Sequence, residues 1–374
     1  MGICKIGSYG RALCVLFALL LTTGLSAQDR LSSPPELTTR AEEGLLLDIA
    51  RAGDSLIAVG DHGVVLVSVD NGNSWQQIET PTSVLLTAVT FIDKKNGWMV
   101  GHDGLLARSL DGGQSWQTQL DGEKINRLRL GRLGARYAGL EQQASQQPDN
   151  DALAEQLDEM SYQLDDAQIA LEEGPTTPLL DVWFEDSRTG FVLGGYGLFL
   201  KTTDGGENWQ YWGDRLPNPD GFHLNSLIQD HQKRLYIAGE AGLLLRSDDG
   251  GDSWIALDSP YEGSFFSITE YRQQLYLMGL RGHLYRSTDA GEQWQELDTG
   301  SVTTLNGAAV IDDQLLLVGH GGVLLQASDN EPLQLRQLGV RRSWSSAVAT
   351  ADSWLLVGEG GVLRMPLQRG ESNE

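Results

Sequence analysis

The sequence predicts an all-β fold, a seven-bladed β-propeller of four-stranded antiparallel blades that carries an inserted α-helical hairpin. The first observation is a repeated stretch of Gly-x-x-Gly, an apolar strand, a polar Gly-rich turn and a Trp that opens the next strand. The second is the spacing of the copies, since steps of about forty residues are the blade length of propellers. The first Gly of each copy is Gly60, Gly101, Gly194, Gly239, Gly279, Gly319 and Gly358. The third is the one enlarged step, from Gly101 to Gly194, which holds one repeat and an insertion of about 53 residues.

Residues 1–27 have the pattern of a secretory signal peptide. Lys5 and Arg11 give a positive start, residues 12–21 are apolar, and small residues at 26–27 offer a cleavage site. The apolar run is short for a membrane span, so we expect cleavage, with an uncleaved anchor as the alternative. The sequence thus predicts export through a Sec-type signal to the periplasm, with membrane association only through a partner.

The charge of the chain argues against two classes of partner. The 374 residues carry 27 Lys and Arg against 51 Asp and Glu, a net charge of −24, and removal of residues 1–27 changes it to −26. Nucleic acid and anionic membrane surfaces both need clustered positive charge, so we expect neither as a partner. Cys4 and Cys14 both lie in the signal, so the remaining chain has no thiol for a disulfide or a Cys metal site.

Residues 28–374 are predicted to form the propeller. In the first copy, four short strands with turn signals between them make one antiparallel blade within residues 44–80. The seventh copy stops after its third strand, at Pro366. A three-stranded last blade leaves an unpaired edge, so we expect an N-terminal strand near residues 33–40 to supply its fourth strand and close the ring.

Residues 121–176 change period and are predicted to form a helical hairpin between the second and third blades. Apolar residues recur at steps of three and four around Leu133 and again around Met160, which is the pattern of two amphipathic helices. A polar break that contains Pro, at residues 146–150, separates them. The second helix is acidic, and the first carries a row of basic residues: Lys124, Arg127, Arg129, Arg132 and Arg136. We therefore expect an antiparallel pair whose arms attract each other.

The polar turn of the repeat, Ser-x-Asp-x-Gly-x-x-Trp, resembles the Asp-box of sialidase-type propellers. Its Asp can accept hydrogen bonds from the turn's own backbone, its Gly permits a positive φ, and its Trp packs under the turn. Because a catalytic residue would be singular, five similar turns favour a structural role over catalysis or calcium binding. The residues expected to act in this way are Asp70, Trp75, Asp111, Trp116, Asp204, Trp209, Asp249, Trp254, Asp289 and Trp294.

The Gly-x-x-Gly turns differ between copies in their two middle residues, and variable residues on a rigid ring are where function is grafted. These turns share a face with the links between blades, so we expect the hairpin on that face and the Asp-boxes on the opposite one. The candidates for partner binding are turn residues and basic residues of the first helix: His62, His102, Tyr196, Glu240, Arg281, His320, Glu359, Arg127, Arg129, Arg132 and Arg136.

Three of these candidates, His62, His102 and His320, could also meet near the ring axis as metal ligands. No pair of them has ligand spacing along the sequence, so we expect ordinary exposed turn residues instead. The Gly-x-x-Gly turn is not a phosphate loop, because no Lys-Ser/Thr follows it. We therefore expect no metal, no cofactor and no catalytic residue.

The repeat as a whole, Gly-x-x-Gly-Leu-Leu-x-Arg-Ser-x-Asp-Gly-Gly-x-x-Trp, with residues 96–101 and 189–194 ahead of two copies, resembles the photosystem II stability/assembly factor family. The resemblance covers nearly all of the chain after the signal except the hairpin. It implies a seven-bladed propeller of Asp-box (BNR) repeats that acts without catalysis, as a lumenal or periplasmic chaperone holding a newly inserted membrane subunit. It also implies an arginine patch as the partner-binding face, from which the acidic composition of this chain departs.

These observations favour a non-enzymatic, exported propeller that serves as a scaffold or assembly factor and binds an envelope membrane protein complex or transporter. Two alternatives stay open. One is a carbohydrate-active propeller of the sialidase or glycosidase kind, or a carbohydrate-binding one, which the Asp-box would allow. The other is a structural partner inside a photosynthetic assembly.

Overall fold

The computed structural model describes residues 30–328 and 331–367; the predicted signal peptide, residues 1–27, lies outside the described residues. Seven antiparallel sheets follow one another along the chain, and each sheet orders its strands as the chain does. The first strand of each sheet packs against the first strand of the next, and the first sheet meets the seventh, so the sheets close into a ring. The prediction of a seven-bladed propeller is therefore confirmed.

Blades 1 to 4 have four strands each, and the strands shorten toward the outside of the ring. Blade 1 contains β1 (Leu46–Ala52), β2 (Ser55–Gly60), β3 (Val65–Ser68) and β4 (Gln76–Ile78). Blade 2 contains β5 (Leu86–Phe91), β6 (Gly97–Gly101), β7 (Leu106–Ser109) and β8 (Gln117–Leu120). Blade 3 contains β9 (Leu179–Phe184), β10 (Gly190–Gly194), β11 (Phe199–Thr202) and β12 (Gln210–Tyr211). Blade 4 contains β13 (Leu224–Gln229), β14 (Leu235–Gly239), β15 (Leu244–Ser247) and β16 (Ile255–Ala256).

Blades 5 and 6 also have four strands, whereas blade 7 has three among the described residues. Blade 5 contains β17 (Phe265–Tyr271), β18 (Gln274–Gly279), β19 (Leu284–Ser287) and β20 (Gln295–Glu296). Blade 6 contains β21 (Leu305–Ile311), β22 (Gln314–Gly319), β23 (Val323–Ser328) and β24 (Glu331–Gln337). Blade 7 contains β25 (Trp344–Ala349), β26 (Ser353–Gly358) and β27 (Gly361–Pro366).

The hydrophobic core lies between the blades. In blade 2, Trp98 is fully buried and stacks on Phe184 of blade 3, with ring centroids 3.5 Å apart. Full burial of one such side chain contributes roughly 1.5–3 kcal/mol. In each of the seven blades, the second strand carries a buried apolar residue three positions before the first Gly of its repeat. These residues are Ile57, Trp98, Phe191, Tyr236, Tyr276, Leu316 and Leu355. The ring is therefore held together by face-to-face packing of neighbouring sheets.

Two half-buried carboxylates tie the innermost strands to one another. The first strand of blade 1 and the first strand of blade 3 each have a bulge near their start. Asp48 directly follows the bulge in blade 1, and Asp181 directly follows the bulge in blade 3. Asp48 Oδ2 accepts a hydrogen bond from the Val89 N–H of blade 2 at 2.9 Å, and Asp181 Oδ2 accepts one from the Leu227 N–H of blade 4 at 2.8 Å. Burial raises the pKa of Asp48 to about 6 and that of Asp181 to about 7, and the charge of Asp48 adds to the rise at Asp181.

The expected N-terminal strand near residues 33–40 is not present, because this segment forms no strand and blade 7 keeps three strands among the described residues. The segment lies instead along blade 1, where the Gln77 side chain accepts from the Thr38 N–H at 2.9 Å and donates to the Glu36 carbonyl at 3.1 Å. Two prolines within it, residues 34 and 35, have no N–H to donate to a sheet ladder, which explains why it does not pair as a strand.

Blades 1 and 7 meet through side chains and one tight turn. Leu355 of blade 7 packs with Leu56 of blade 1, and Arg364 Nη1 donates to Asn73 Oδ1 at 2.8 Å. The turn at Ala41–Glu43 lies against β27 so closely that a Cβ on Gly361 would collide with the Glu42 carbonyl oxygen. Gly361 also has φ +92°, which suits glycine alone. Side-chain packing between blades 1 and 7 therefore closes the ring. The sequence instead predicts closure by an N-terminal strand in the sheet of blade 7.

The insertion consists of helices α1 (Gly122–Gln146) and α2 (Asp151–Glu173), as predicted. Asp121 caps α1 by accepting from the Lys124 N–H at 2.8 Å, and Asn150 caps α2 by accepting from the Leu153 N–H at 3.2 Å. The helices run antiparallel, since Asn126 near the start of α1 donates to the Ala170 carbonyl near the end of α2 at 2.7 Å. Among the described residues, no helix combines the length and the apolar composition that a membrane crossing would need.

Apolar packing joins the two helices, which corrects the expectation that their opposite charges attract. Leu133 of α1 and Met160 and Ala167 of α2 are buried in one cluster with the apolar residues of blades 2 and 3. No ion pair connects α1 with α2 in these fully described helices. Arg127 pairs with Glu123 of its own helix, and other α1 arginines reach the ring. The carboxylates of the second helix therefore form no ion pair with the first helix, and Glu172 accepts a hydrogen bond from Gln168 of its own helix at 3.0 Å.

Candidate partner-binding surface

The middle residues of the Gly-x-x-Gly turns lie at one end of the blades and point away from the ring. In three turns, His62, Tyr196 and Arg281 occupy the second middle position with φ of 54°, 56° and 57°, and all three are exposed. This left-handed conformation is uncommon for residues other than Gly and turns the side chain outward. At the first middle position, Glu240 and Glu359 accept from the backbone N–H groups of His223 and Ser343, at 3.1 and 3.0 Å. The first-position glutamates thus anchor their own blades, whereas the second-position residues face solvent.

The predicted turn residues are spread one to a blade around the ring, so they do not converge on one point. His62 lies beside Asp61 with 2.9 Å between Nδ1 and Oδ2, while His102 and His320 are exposed on blades 2 and 6. Within residues 30–328 and 331–367, no three His, Cys, Asp or Glu side chains are arranged to hold a metal ion. His62, His102 and His320 are therefore exposed turn residues on separate blades, and the alternative of a shared metal site has no support among the described residues.

The hairpin rises from the face that carries these turns. Gly104 ends the Gly-x-x-Gly turn of blade 2 and lies against Gly122 at the start of α1. A Cβ on Gly104 would collide with the Cα of Gly122, and a Cβ on Gly122 would collide with the carbonyl oxygen of Asp103 in that turn. The antiparallel order of the strands places the Asp-box turns at the other end of each blade. The hairpin and the variable turns therefore share one face of the ring, and the repeated Asp-boxes occupy the opposite face.

A cleft of about 440 Å³ lies between the hairpin and blade 3. One wall is α1 and the second is α2. The floor is the turn at Tyr196 together with the link between blades 3 and 4 (residues 212–223). We call this space the hairpin cleft, and its charged and aromatic lining residues are Arg129, Arg136, Glu159, Asp166, Tyr196, Tyr211, Asp214 and Asp220.

Asp214, in the link between blades 3 and 4, fastens α1 to the ring. Its side chain is 1% exposed, and Oδ2 accepts from Arg132 Nε at 3.0 Å and lies 2.9 Å from Arg132 Nη2. Arg136 Nη1 donates to the Asp214 carbonyl oxygen at 2.7 Å and lies 3.3 Å from Oδ2. Guanidinium–carboxylate hydrogen bonds are among the strongest in proteins. The hairpin is therefore clamped onto blade 3 by charge as well as by the apolar cluster below it.

Arg129 lies deeper in the same cleft, against Tyr211. Burial raises the pKa of the Tyr211 hydroxyl, which the Arg129 guanidinium opposes and the Asp214 carboxylate reinforces. Three of the four α1 arginines proposed for partner binding are thus engaged inside the chain, and Arg127 is engaged with Glu123. Partner contact through these arginines stays a prediction, and α1 is not a free anion-binding patch.

The hairpin cleft brings together three of the predicted candidates, Tyr196, Arg129 and Arg136. The other turn candidates lie on other blades and outside this space. Sequence reasoning missed Asp214 because acidic residues are abundant in the chain and this one lies in an irregular link. The signal that could have found it is the length of that link, which carries Gly213–Arg215 as an extra helical turn before blade 4 begins.

On the opposite face, each Asp-box aspartate is bound to its own turn. Asp70 Oδ1 accepts from the Ser68 hydroxyl at 2.8 Å and from the Ser74 N–H at 2.9 Å, and hydrogen bonds led by the Ser74 hydroxyl lower the pKa of Asp70 to about 2. Asp111, Asp204, Asp249 and Asp289 repeat the contact with the first Ser or Thr of the turn. Trp116, Trp209 and Trp254 are buried beneath their turns, while Trp75 and Trp294 are half-buried. These carboxylates are poor proton donors near neutral pH, because hydrogen bonds from their own turns lower their pKa values and keep them ionised.

The Asp-box face also carries charge links between blades. Arg108 of blade 2 lies 3.3 Å from Glu207 in the Asp-box of blade 3, and Lys201 of blade 3 lies 2.8 Å from Asp252 in that of blade 4. Arg246 of blade 4 continues the series at 2.6 Å from an Asp-box glutamate of blade 5. The three basic side chains are at most 16% exposed. This face is therefore built as framework around the ring.

Comparisons with known proteins place these features in a family context. The model of the family described as photosynthesis system II assembly factor YCF48 matches residues 67–136 and 159–330, which together exceed half of the chain. The unmatched residues between these ranges span the outer end of the hairpin. The photosystem II assembly protein Ycf48 of Thermosynechococcus vestitus is 25% identical over 139 residues, which are 37% of this chain and 38% of that protein.

Two solved structures are similar in fold. One, described as YCF48 bound to D1 peptide, has a TM-score of 0.61 and 16% sequence identity, and the match covers 90% of this chain and all of that one. The other, YCF48 from Cyanidioschyzon merolae, has a TM-score of 0.61 and 15% identity, with coverage of 89% and 97%. At these identities the structural likeness concerns the fold, while the family model concerns the sequence pattern of the repeats.

Proposed function

This chain belongs to the photosynthesis system II assembly factor YCF48 family, and from that premise we propose that it is an exported, non-catalytic propeller that assembles a membrane protein complex or transporter of the cell envelope. Its partner docks on the face formed by the hairpin and the variable turns. The predicted signal at residues 1–27 supports export, and the periplasm is the proposed site of action.

Family membership supports binding of a protein segment. A structure with the same fold is described as bound to a D1 peptide, so a propeller of this family holds a peptide of another protein. The alignment with the curated relative spans only 38% of that protein's length, so its partner is not transferred to this chain. We propose only the class of partner, which is a membrane protein with a segment accessible to the periplasm. We do not propose photosystem II as that partner.

The observation that carries the proposal is the position of the hairpin. The repeated features hold the ring together: the Asp-box carboxylates bond their own turns, and the third-strand residues Arg108, Lys201 and Arg246 pair with the next blade. The hairpin occurs once, lies on the face of the variable turns, and encloses a cleft against blade 3. Loops and insertions on a rigid scaffold are where binding residues are placed.

The carbohydrate alternative has no comparable support. Catalysis by a glycosidase needs a proton donor with a raised pKa paired with a second carboxylate. The Asp-box carboxylates have lowered pKa values, and the raised ones, Asp48 and Asp181, are half-buried at the innermost strands, where both oxygens of each accept backbone N–H groups. We therefore keep one proposed function.

The test is capture of partners from envelope extract by the full chain and by a variant without the hairpin. A Cβ on Gly122 would lie 2.6 Å from the Pro175 Cβ, so the two ends of the insertion are adjacent and a short Gly-Ser linker can replace residues 122–175. A matched control carries Val69→Ser and Leu110→Ser, which change exposed apolar residues on the Asp-box face.

We expect a membrane protein to be captured by the full chain and by the control, and to be lost with the hairpin. An identical set of captured proteins for all three chains would overturn the docking surface. Cell fractionation of the tagged full chain tests the location, and recovery in the cytosol would contradict export.

A further inference from the structure

The charges of the hairpin cleft are unevenly satisfied. Arg136 is paired with Asp214, whereas Arg129 lies against the uncharged Tyr211 hydroxyl and its buried Nε has no partner. Within the described part of the chain, its carboxylates Glu159, Asp166 and Asp220 have neither a hydrogen bond nor an ion pair. The cleft therefore presents net unpaired negative charge, although α1 is a basic helix.

A second observation points into the same space. The Asp214 side chain is 1% exposed, and its Oδ1 has no hydrogen-bond partner, while Oδ2 is taken by Arg132 and Arg136. A buried carboxylate oxygen without a partner is costly, and a donor brought by a ligand removes that cost. Asp214 lines the cleft, so a ligand that enters there can bring such a donor.

The remaining lining of the cleft fits a long aliphatic stem that ends in a cation. Leu133, Met160 and Leu216 provide apolar walls, along which a Lys or Arg side chain can lay its methylene groups. Tyr196 is 64% exposed at the rim and offers an aromatic face to a guanidinium or ammonium group. The volume of about 440 Å³ is large enough for one such side chain with part of its backbone.

We infer that the hairpin cleft receives a Lys or Arg side chain from an extended segment of the partner protein. The inference rests on the proposed function, because it names the chemistry of the partner at the proposed docking face. Unpaired carboxylates on α2 attract the cation, the buried Asp214 Oδ1 accepts a hydrogen bond from it, and the apolar walls exclude water from its stem. An acidic partner segment would meet a cleft whose four carboxylates outnumber its two arginines, and the α2 carboxylates would repel it.

The experiment uses the full chain and three small probes: N-acetyl-arginine methylamide, its citrulline counterpart, which is neutral and of nearly the same shape, and N-acetyl-glutamate methylamide. Binding is titrated by ligand-observed NMR. The variant E159Q/D166N removes two cleft carboxylates. The variant D158N/D165N is the matched control, because it removes two carboxylates from the same helix at positions that do not line the cleft.

We expect the arginine probe to bind, and the other two to bind at least about fivefold more weakly. We expect E159Q/D166N to weaken arginine binding by about five- to tenfold, and D158N/D165N to leave it within about twofold. Equal losses in the two variants would reduce the effect to bulk charge and overturn the inference, as would absent arginine binding or preference for the glutamate probe. Circular dichroism and melting curves establish that all variants remain folded.

The two proposals fail in different ways. Suppose that the hairpin deletion loses the partner while E159Q/D166N captures it as well as the unmodified chain does. The docking surface is then supported, and the binding of a Lys or Arg side chain in the hairpin cleft is refuted. If the arginine probe binds in the cleft but no envelope protein depends on the hairpin, the site stands and the assembly role falls.

Discussion

Loss of the Asp214 carboxylate should loosen the hairpin from the ring without unfolding the propeller. The perturbation is Asp214→Asn, which keeps the shape of the side chain and removes its charge. In the structure the carboxylate is 1% exposed and accepts contacts from Arg132 at 2.9 and 3.0 Å and from Arg136 at 3.3 Å. The backbone contact of Arg136 with the Asp214 carbonyl, at 2.7 Å, survives the change.

The magnitude follows from how much of the pairing water can replace. Breaking a buried ion pair costs about 3–5 kcal/mol. Here the side chains of Arg132 and Arg136 are 43% and 44% exposed, so solvent recovers part of that loss. A charge-assisted hydrogen bond contributes about 1.5–3 kcal/mol, and we take about 2 kcal/mol for the docking of the hairpin. That corresponds to a roughly 30-fold larger population of the undocked hairpin.

Hydrogen exchange measured by mass spectrometry resolves this opening by region. Slowly exchanging amides of α1 and α2 should exchange about 30-fold faster in Asp214→Asn, while those of β9 to β11 change little. Glu123→Gln is the control, because it removes the exposed partner of Arg127 on the same helix and should change exchange by about twofold at most. If Asp214→Asn affects the helices no more than Glu123→Gln does, the clamp described here does not hold the hairpin.

Three further predictions concern the ring. The folded-state pKa values of Asp48 and Asp181, about 6 and about 7, exceed the unfolded value of roughly 3.9. The stability that these two groups contribute is therefore complete below about pH 4 and is lost as pH rises through 6 to 7. Urea denaturation should show this decline in the unmodified chain and a smaller decline in D48N/D181N, and equal pH slopes in the two chains would contradict the raised pKa values. Trp209→Ala should lower the free energy of unfolding by about 3–5 kcal/mol, because Trp209 is 5% exposed under its Asp-box, while the exposed-site change Leu110→Ser stays within about 0.5 kcal/mol; similar midpoints would mean that the Asp-box tryptophan does not support the fold. Gly361→Ala should destabilise the chain by more than about 1 kcal/mol through the collision with Glu42, whereas Gly339→Ala, with no atom within 4 Å of its Cβ, should be nearly neutral; equal melting temperatures would show that blades 1 and 7 do not meet at this turn.

The repeat made most of the fold predictable, because each blade is a local unit with its own turn and strand signals. Seven copies of Gly-x-x-Gly give seven blades, and the change from a period of two to a period near 3.6 locates α1 and α2. The closure of the ring was not predictable in this way. Residues 33–40 lie along blade 1, and the Gln77 side chain that holds them there carries no local signature in the sequence.

The candidate surface was predictable in outline and not in its charges. The prediction that α1 and α2 attract each other treated the helices as an isolated pair. In the structure, the arginines of α1 reach Asp214, some eighty residues away in the sequence, and the α2 carboxylates are left unpaired. Which charges neutralise each other depends on tertiary contacts, so the sign of the cleft cannot be derived from the composition of either helix.

The measurement that tests the central claim most directly is photo-cross-linking in living cells. A benzoylphenylalanine is placed at Tyr196, which is 64% exposed at the rim of the hairpin cleft, or at Val69, which is 75% exposed on the Asp-box face. Our account predicts that the probe at position 196 cross-links an envelope membrane protein and that the probe at position 69 does not. Cross-links to the same protein from position 69 alone, or equally from both positions, would contradict it.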